Sequence, residues 1–322
     1  YPDGSKTISD PVKTNLQWNY SGSATVKSYS VTISQKSDFS GGFTINGTSA
    51  TSLDIYNLFL GKNYVRVNAT LDDDSKICSA TTEIDVDTTY PRNLYVGAKM
   101  TNDRDCGGRT TTSGGTIRQG LLYRTCGNRY NMDGQKIDEE GKSIMLDQLG
   151  VKTEINLSDN GSYNVNLKGT KVIDTYMDYA TNSNPSRHHF SRNTENVKNV
   201  FNVLADTSSY PVYFHCRIGT DRTGLIAILV NGVLGVDLNE IYQDYLFSNF
   251  GKIGKKRYIG DKAGDDNILN YMNEIEAMPG DTFQEKTYNA LLTIGVPRTT
   301  LNKVIDILTT GAKPNNNKGQ VV

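Results

Sequence analysis

The chain has 322 residues, room for two domains of ordinary size, and carries 34 Lys and Arg against 35 Asp and Glu, a net charge of -1. So even a balance supplies no overall basic field and excludes nucleic acid as a default partner. Four cysteines (Cys78, Cys106, Cys126 and Cys216) with no C-x-x-C spacing, and three histidines of which two are adjacent, argue against a disulfide scaffold and a zinc site. No apolar run reaches the roughly 18 residues of a membrane-spanning helix. No signal peptide is visible, and a start at Tyr1-Pro2-Asp3-Gly4 without Met reads as a processed form.

The first 90 residues read as all-β. Leu16-Gln17-Trp18, Tyr29-Ser30-Val31-Thr32-Ile33 and Tyr64-Val65-Arg66-Val67-Asn68 alternate apolar and polar side chains, the period of half-buried strands. Clusters of Ser, Thr, Asn, Asp and Gly separate them at the spacing of a β-sandwich. These segments, with Leu58-Phe59-Leu60-Gly61-Lys62-Asn63-Tyr64-Val65-Arg66-Val67, resemble a fibronectin type III (immunoglobulin-like) domain over residues 6–88. The resemblance implies that Trp18 fills the core and that the stretch through Tyr64 leads into a tyrosine corner. Thr88-Thr89-Tyr90-Pro91 is the candidate linker, giving domains at 1–90 and 91–322.

The second part reads as α/β. An amphipathic helix over 138–149 precedes a strand at Lys152–Leu157, followed by a strand at Lys171–Met177, a helix at 193–204 and a short strand at Tyr210–Phe214. An apolar helix then covers 225–233, and the remainder to about residue 310 reads as helical, with a frayed tail from Gly311. Strands alternating with helices predict a mostly parallel central sheet flanked by helices on both faces. Cys106 and Cys126 flank a glycine-rich stretch, and both a pair and two free thiols are compatible with that spacing.

The chemistry concentrates in His215-Cys216-Arg217-Ile218-Gly219-Thr220-Asp221-Arg222-Thr223-Gly224, between the strand at 210–214 and the helix. A loop of this length lets successive backbone N–H groups turn inward and form a nest for a dianionic phosphate at the positive end of the helix. Gly219 and Gly224 permit the close approach, and Arg217, Ile218, Thr220 and Thr223 complete the phosphate-binding run. Arg222 offers a planar fork that grips two phosphoryl oxygens. Cys216 at the base of the nest is the candidate nucleophile, because a helix N-terminus and nearby cations lower a thiol's pKa. Thr223 can donate to its sulfur, and His215 orients the loop. No metal or organic cofactor is called for.

The loop resembles the signature of cysteine-dependent tyrosine and dual-specificity phosphatases, and in Gly219-Thr220-Asp221-Arg222-Thr223-Gly224 that of their bacterial group. Asn102-Asp103-Arg104-Asp105-Cys106-Gly107-Gly108, Gly120-Leu121-Leu122-Tyr123-Arg124-Thr125 and Leu149-Gly150-Val151-Lys152-Thr153 match the same group, so the resemblance spans about residues 91–310. It implies supporting roles for Arg104 and Arg124. Two departures stand out. The group's loop lysine is Thr220 here, with Arg217 as the alternative cation, and its Asp-Leu-Arg is Asn156-Leu157-Ser158, so no role passes to Asn156.

A general acid must protonate the leaving oxygen. Asp221 is the first candidate, because the resemblance implies catalytic importance for an Asp within the loop. Asp178 is second, since it opens the segment where the wider fold carries its mobile acid loop, and Asp159 is third. Arg187, His188 and His189 lie in that same segment and suit an anionic substrate.

The leading functional expectation is hydrolysis of protein phosphotyrosine, with dual specificity as an extension. A phosphatase of inositol phosphates or phosphoinositides is the second reading. An adhesion or binding protein with a weakly active phosphatase module is the third, with the sandwich as the surface for a cell-surface partner. Sandwiches of this type on bacterial enzymes suggest a secreted or surface location, although a reactive thiolate outside the cell is open to oxidation.

Overall fold

The computed structural model describes residues 13–88, 90–98, 100–128, 136–158, 161–178, 190–259 and 268–314. The N-terminal part holds seven strands among the described residues: β1 (Thr14–Gln17), β2 (Val26–Ser34), β3 (Phe43–Thr48), β4 (Ser52–Ile55), β5 (Gly61–Leu71), β6 (Lys76–Cys78) and β7 (Thr82–Val86). β1 pairs with β4, while a second antiparallel sheet runs β3-β2-β5-β6 with β7 on β5. Along β2, Tyr29, Val31 and Ile33 are buried and alternate with half-buried polar residues. Val31 and Ile33 meet Phe43, Ile55, Phe59 and Val65, with Leu16 and Leu53 closing the core from the smaller sheet. Trp18 lies just past β1 and meets Tyr29 edge to face, ring centroids 5.4 Å apart.

The register of β5 corrects one expectation. Tyr64 is only half-buried, whereas Asn63 is fully buried. The Asn63 side chain accepts from the Phe59 amide at 2.9 Å and donates to the Phe59 carbonyl at 2.8 Å. An amide, with both a donor and an acceptor, closes the corner that the resemblance assigns to the tyrosine.

The same corner is where the N-terminal part meets the rest of the chain. Arg92, buried, donates to the carbonyls of Asn57 at 2.6 Å and Leu58 at 3.1 Å, and to Asp105 at 2.7 Å. The Asn57 side chain bonds both backbone groups of Tyr95, at 2.8 and 2.7 Å. Gln119 does the same for Leu60, at 2.8 and 3.1 Å. Buried backbone groups at the joint are thus partnered across it, which fixes the mutual orientation of the two parts.

The second part is built on β8 (Arg104–Asp105), β9 (Thr116–Ile117), β10 (Leu122–Thr125), α1 (Glu139–Ser143), β11 (Thr153–Asn156), β12 (Lys171–Asp174), α2 (Thr194–Leu204), β13 (Val212–His215), α3 (Arg222–Val233), α4 (Leu238–Phe247), α5 (Ile268–Glu276), α6 (Phe283–Thr293), α7 (Arg298–Leu308) and β14 (Thr309–Thr310). The sheet order is β12-β11-β13-β10-β8, with β8 antiparallel at one edge and the other three pairings parallel. Side chains along β13 alternate between two cores: Val212 and Phe214 join the helical core of α2, α3, α5, α6 and α7, and Tyr213 joins a smaller core with Leu94, Val96 and Ile144. Every residue of α3 is buried, which is why its sequence reads apolar all round. No described helix is long and apolar enough to cross a membrane.

Several local readings change. The helix expected over 138–149 is α-helical only to Ser143 and continues as a wider π-type turn, with Leu149 N donating to Ile144 O at 2.9 Å. Residues 251–259 form no helix, although the sequence reads as helical there. Cys106 and Cys126 are both buried free thiols. Thr309–Thr310 pair with β9 as a strand just before the expected tail. A cleft of about 840 Å³ separates the sandwich from the sheet; Leu121, Gly150 and Pro211 line it, just before β10, β11 and β13. It therefore lies at the end of the sheet opposite the candidate loop.

Candidate active site

β13 ends at His215 and α3 begins at Arg222. Residues 216–221 therefore sit between the C-terminal end of a central parallel strand and the positive end of a helix, where such sheets bind anions. Four successive carbonyls of this loop are held from outside. Cys216 O accepts from His215 Nδ1 at 2.9 Å, Arg217 O from the Gly127 amide at 3.0 Å, Ile218 O from Asn102 Nδ2 at 3.1 Å, and Gly219 O from Arg124 Nη2 at 2.8 Å. In a trans peptide the following N–H points opposite to the carbonyl. The amides of Arg217, Ile218, Gly219 and Thr220 are thereby turned to the inner side, as an anion nest requires.

Two glycines make this possible. Gly219 has φ +72°, and a Cβ on it would lie 2.4 Å from the Thr125 carbonyl. Gly127 supplies an external donor, and a Cβ there would lie 2.5 Å from the Cys216 carbonyl. Gly224, within α3, lets the Tyr245 ring approach to 3.3 Å of where a Cβ would stand.

Cys216 is buried, and burial alone would oppose its ionisation. The Arg222 charge and the neighbouring Thr223 hydroxyl and amide outweigh that, and its pKa falls below the ordinary thiol value, with Asp221 pulling the other way. The other two buried thiols behave oppositely: burial pushes Cys126 up and Cys106 up to about 12. Among the buried thiols, only Cys216 is disposed to be a thiolate.

His215 lies between two acceptors, Cys216 O and Glu154 Oε1, the latter at 3.0 Å from Nε2. Glu154 also accepts from the Val165 amide at 2.7 Å, the Asn166 amide at 3.0 Å and Tyr213 Oη at 2.9 Å. Burial opposes the Glu154 charge, but His215 and these donors hold its pKa below the usual carboxylate value. Both imidazole nitrogens are therefore engaged, Nδ1 with the Cys216 carbonyl and Nε2 with the Glu154 carboxylate, which ties the loop to β11.

The remaining sequence candidates separate by position. Arg222 is buried, with Nη1 3.5 Å from the Met177 carbonyl. That contact brings Asp178, the next residue and an exposed one, to the edge of the loop; its amide donates to Asn193 Oδ1 at 2.8 Å. Asp221 is buried, and Arg257 grips both its oxygens, Nε to Oδ1 at 2.9 Å and Nη2 to Oδ2 at 2.8 Å. The first candidate acid is thus buried and gripped by a guanidinium, whereas the second, Asp178, is exposed. Thr220 is buried and its hydroxyl accepts from Asn102 Nδ2 at 3.3 Å. Arg217 is exposed, 5.9 Å from the Tyr163 ring centroid. Arg104 and Arg124 converge on the buried Asp244. Asp159, Arg187, His188 and His189 lie outside the described residues.

Sequence reasoning missed Glu154, Gly127, Asp244 and Arg257. Two of them carried a signal. Glu154 is a charge in a strand expected to be covered on both faces, and Asp244 falls in the apolar stripe of Ile241 and Tyr245 on α4. Arg257 sits in Lys255-Lys256-Arg257, where nothing local distinguishes it from a solvated basic run.

A strand-loop-helix anion nest with a thiol of lowered pKa defines a cysteine-dependent phosphatase site. A family model described as the tyrosine phosphatase family matches residues 97–309, and the chain belongs to that family. A protein of Cupriavidus necator assigned as a candidate tyrosine-protein phosphatase is 27% identical over 167 residues, covering 47% of this chain and 61% of the relative, so the chain spans less than two thirds of it. Among solved structures, the core catalytic domain of the PP-IP phosphatase Siw14 from S. cerevisiae is 17% identical over 59% of this chain and 94% of its own, with a TM-score of 0.34. TpbA of P. aeruginosa in complex with pTyr is 18% identical over 55% of this chain and 92% of its own, with a TM-score of 0.34. Overlays this loose carry no weight for fold or substrate.

Proposed function

We propose that the chain hydrolyses phosphate monoesters through a phosphocysteine on Cys216, with protein phosphotyrosine as the first substrate class and dual specificity as its extension. The observation that carries this is the set of four outward-held carbonyls at Cys216–Gly219 above a thiol whose pKa is lowered. The Cys216 thiolate attacks phosphorus in line with the leaving oxygen; the S–P bond forms as the P–O bond breaks. The loop amides and Arg222 hold the phosphoryl oxygens while charge redistributes. We assign the proton for the leaving oxygen to Asp178, exposed beside the Arg222 contact, and a positioning role to Asp221. Water then attacks phosphorus, the thiolate leaves, aided by Thr223, and orthophosphate is released. Tyr176, 43% exposed and one residue before Met177, offers a ring at the rim for an aromatic ester.

A second reading, an inositol phosphate or phosphoinositide substrate, is favoured by one observation. Lys252 and Lys255 are exposed on the segment that also delivers Arg257 to Asp221, and Arg217 is exposed on the loop itself, a rim suited to further phosphates. We read the N-terminal sandwich as a fibronectin type III-like module that positions the enzyme at a partner or a surface outside the cell.

The test is phosphate release from a phosphotyrosine peptide, a phosphoserine peptide, a phosphoinositide and inositol hexakisphosphate, with Cys216→Ser as control. Release from the tyrosine peptide that vanishes in the variant is the expected result. A lead for either inositol compound selects the second reading. No Cys216-dependent release from any of the four overturns both and leaves a phosphate-binding module.

A further inference from the structure

We propose that Asp244 is the positioning residue of the phosphate loop, and that Tyr90 ties it to the junction between the two domains. The proposal rests on the phosphatase reading and names what holds that site in shape. Asp244 belongs to α4, yet two relays run from its carboxylate to consecutive loop carbonyls. In the first, Arg124 places Nη1 on Asp244 Oδ2 and Nη2 on Gly219 O, the latter at 2.8 Å. In the second, Arg104 donates through Nε to Asp244 Oδ1 at 2.8 Å and through Nη2 to the Asp244 carbonyl at 2.8 Å. Its remaining nitrogen, Nη1, donates to the Asn102 side-chain oxygen. With that oxygen committed, the Asn102 amide nitrogen must face the loop, where it meets Ile218 O at 3.1 Å and Thr220 Oγ1 at 3.3 Å. One carboxylate thus sets the carbonyls of the two peptide groups that flank Gly219, where the chain enters its left-handed turn.

The charge arrangement explains why an acid is needed there. Arg109 brings a third guanidinium, Nη2 3.4 Å from Asp244 Oδ1, and all four side chains are buried. Burial opposes the carboxylate, but the three guanidinium charges hold its pKa well below the usual range. Without it, three buried cations would repel one another and the two relays would lose their common anchor.

Tyr90 supplies the link to the sandwich. Its hydroxyl donates to Asp244 Oδ1 at 2.8 Å, and its ring lies 3.4 Å from the Arg109 guanidinium carbon. Two residues on, Arg92 holds the carbonyls of Asn57 and Leu58. A shift of the sandwich is passed through this short segment to Asp244, and from there to the loop.

The experiment uses the full chain with Asp244→Asn, Tyr90→Phe, Arg124→Lys and the Tyr90→Phe/Arg124→Lys pair. Tyr90→Phe keeps the ring on Arg109 and removes only the hydroxyl; Arg124→Lys keeps the charge but cannot reach both acceptors. Thermal unfolding checks folding, calorimetry gives tungstate affinity, and 4-nitrophenyl phosphate gives kcat and KM separately. We expect folded Asp244→Asn to lose about 100-fold in kcat/KM, the scale of an ångström-sized misplacement, and to bind tungstate more weakly. We expect the Tyr90 and Arg124 effects to be non-additive by about 2-fold or more, as for residues of one network. A folded Asp244→Asn with unchanged tungstate affinity and kcat/KM overturns the proposal, as does strict additivity of the pair, which decides the matter if Asp244→Asn does not fold. Tungstate binding needs no turnover, so a failure of the phosphatase reading, turnover retained in Cys216→Ser, is distinguishable from a failure of this one.

Discussion

Asp221 and Arg257 are joined by two parallel hydrogen bonds, 2.9 and 2.8 Å, with both side chains buried. The pair pins the end of the phosphate loop to the segment 251–259, and on the proposed assignment it leaves Asp221 to position the loop and Asp178 to supply the proton. Asp178→Asn should therefore reduce kcat/KM by about 10²- to 10⁴-fold for an aryl phosphate with a poor leaving group, and much less for a good one. It should also flatten the alkaline limb of the pH–rate profile, because a general acid works only while protonated. Asp221→Asn should lower the rate for both leaving groups alike. A leaving-group-dependent loss in Asp221→Asn, with Asp178→Asn indifferent, would reverse the assignment.

Gly219 cannot be replaced without moving the loop. Its φ of +72°, with the Thr125 carbonyl 2.4 Å from where an alanine methyl would stand, leaves no room for the larger side chain. Gly219→Ala should cost about 100-fold or more in kcat/KM, because a displacement of about 1 Å is enough at a reacting centre. Steady-state kinetics beside a thermal melt checks this: a folded variant with wild-type kinetics would show that the loop shape tolerates change.

The pH dependence of Cys216 follows from what surrounds it. Burial raises its pKa, and Arg222 and Thr223 lower it by more. Thr223→Ala removes a lowering influence, so the pH at which Cys216 is half-alkylated by iodoacetate should move up relative to the unchanged chain, with Cys126 and Cys106 remaining unreactive near neutral pH. Release of the thiolate in the second step should slow by about 100-fold, the usual cost of losing one preorganised donor. An unmoved alkylation profile would remove Thr223 from the thiolate's support.

The loop itself was legible because its parts are contiguous: strand, thiol, glycine, arginine and helix follow one another between Val212 and Val233. Of its supports, Arg104 and Arg124 were marked only by the family resemblance and Asn102 and Glu154 were not picked out as supports, because all of them arrive from distant chain positions. Arg124 is 95 residues from Gly219, Asn102 is 116 from Ile218, and Glu154 is 61 from His215. Local periodicity does not encode such pairings, although a lone acid in a buried stripe, as at Asp244, marks a position that must have found a cation. The sandwich strands β2 and β5 were legible from alternation, but Asn63 shows the limit of pattern alone. Tyr64 matched the expected residue type, and the register put its neighbour into the core.

Arg92 tests whether the two parts behave as one body. Its guanidinium serves Asp105 at 2.7 Å and the carbonyls of Asn57 and Leu58, and it lies 4.0 Å from the Phe59 ring centroid. Asp105 also accepts from the amides of Gly107 and Gly120, each at 2.7 Å, so it stays in its buried place when the arginine is removed. Arg92→Ala should destabilise the chain by about 3–5 kcal/mol, the cost of stranding one partner of a buried pair. Arg92→Lys should recover only part of that, because one ammonium cannot span acceptors on both sides of the joint. Denaturant unfolding followed by Trp18 fluorescence for the sandwich and by 4-nitrophenyl phosphate turnover for the catalytic part reads the consequence. The two signals should coincide in the unchanged chain and separate in Arg92→Ala; coincident curves in both would mean that the joint is held chiefly by Asn57 and Gln119.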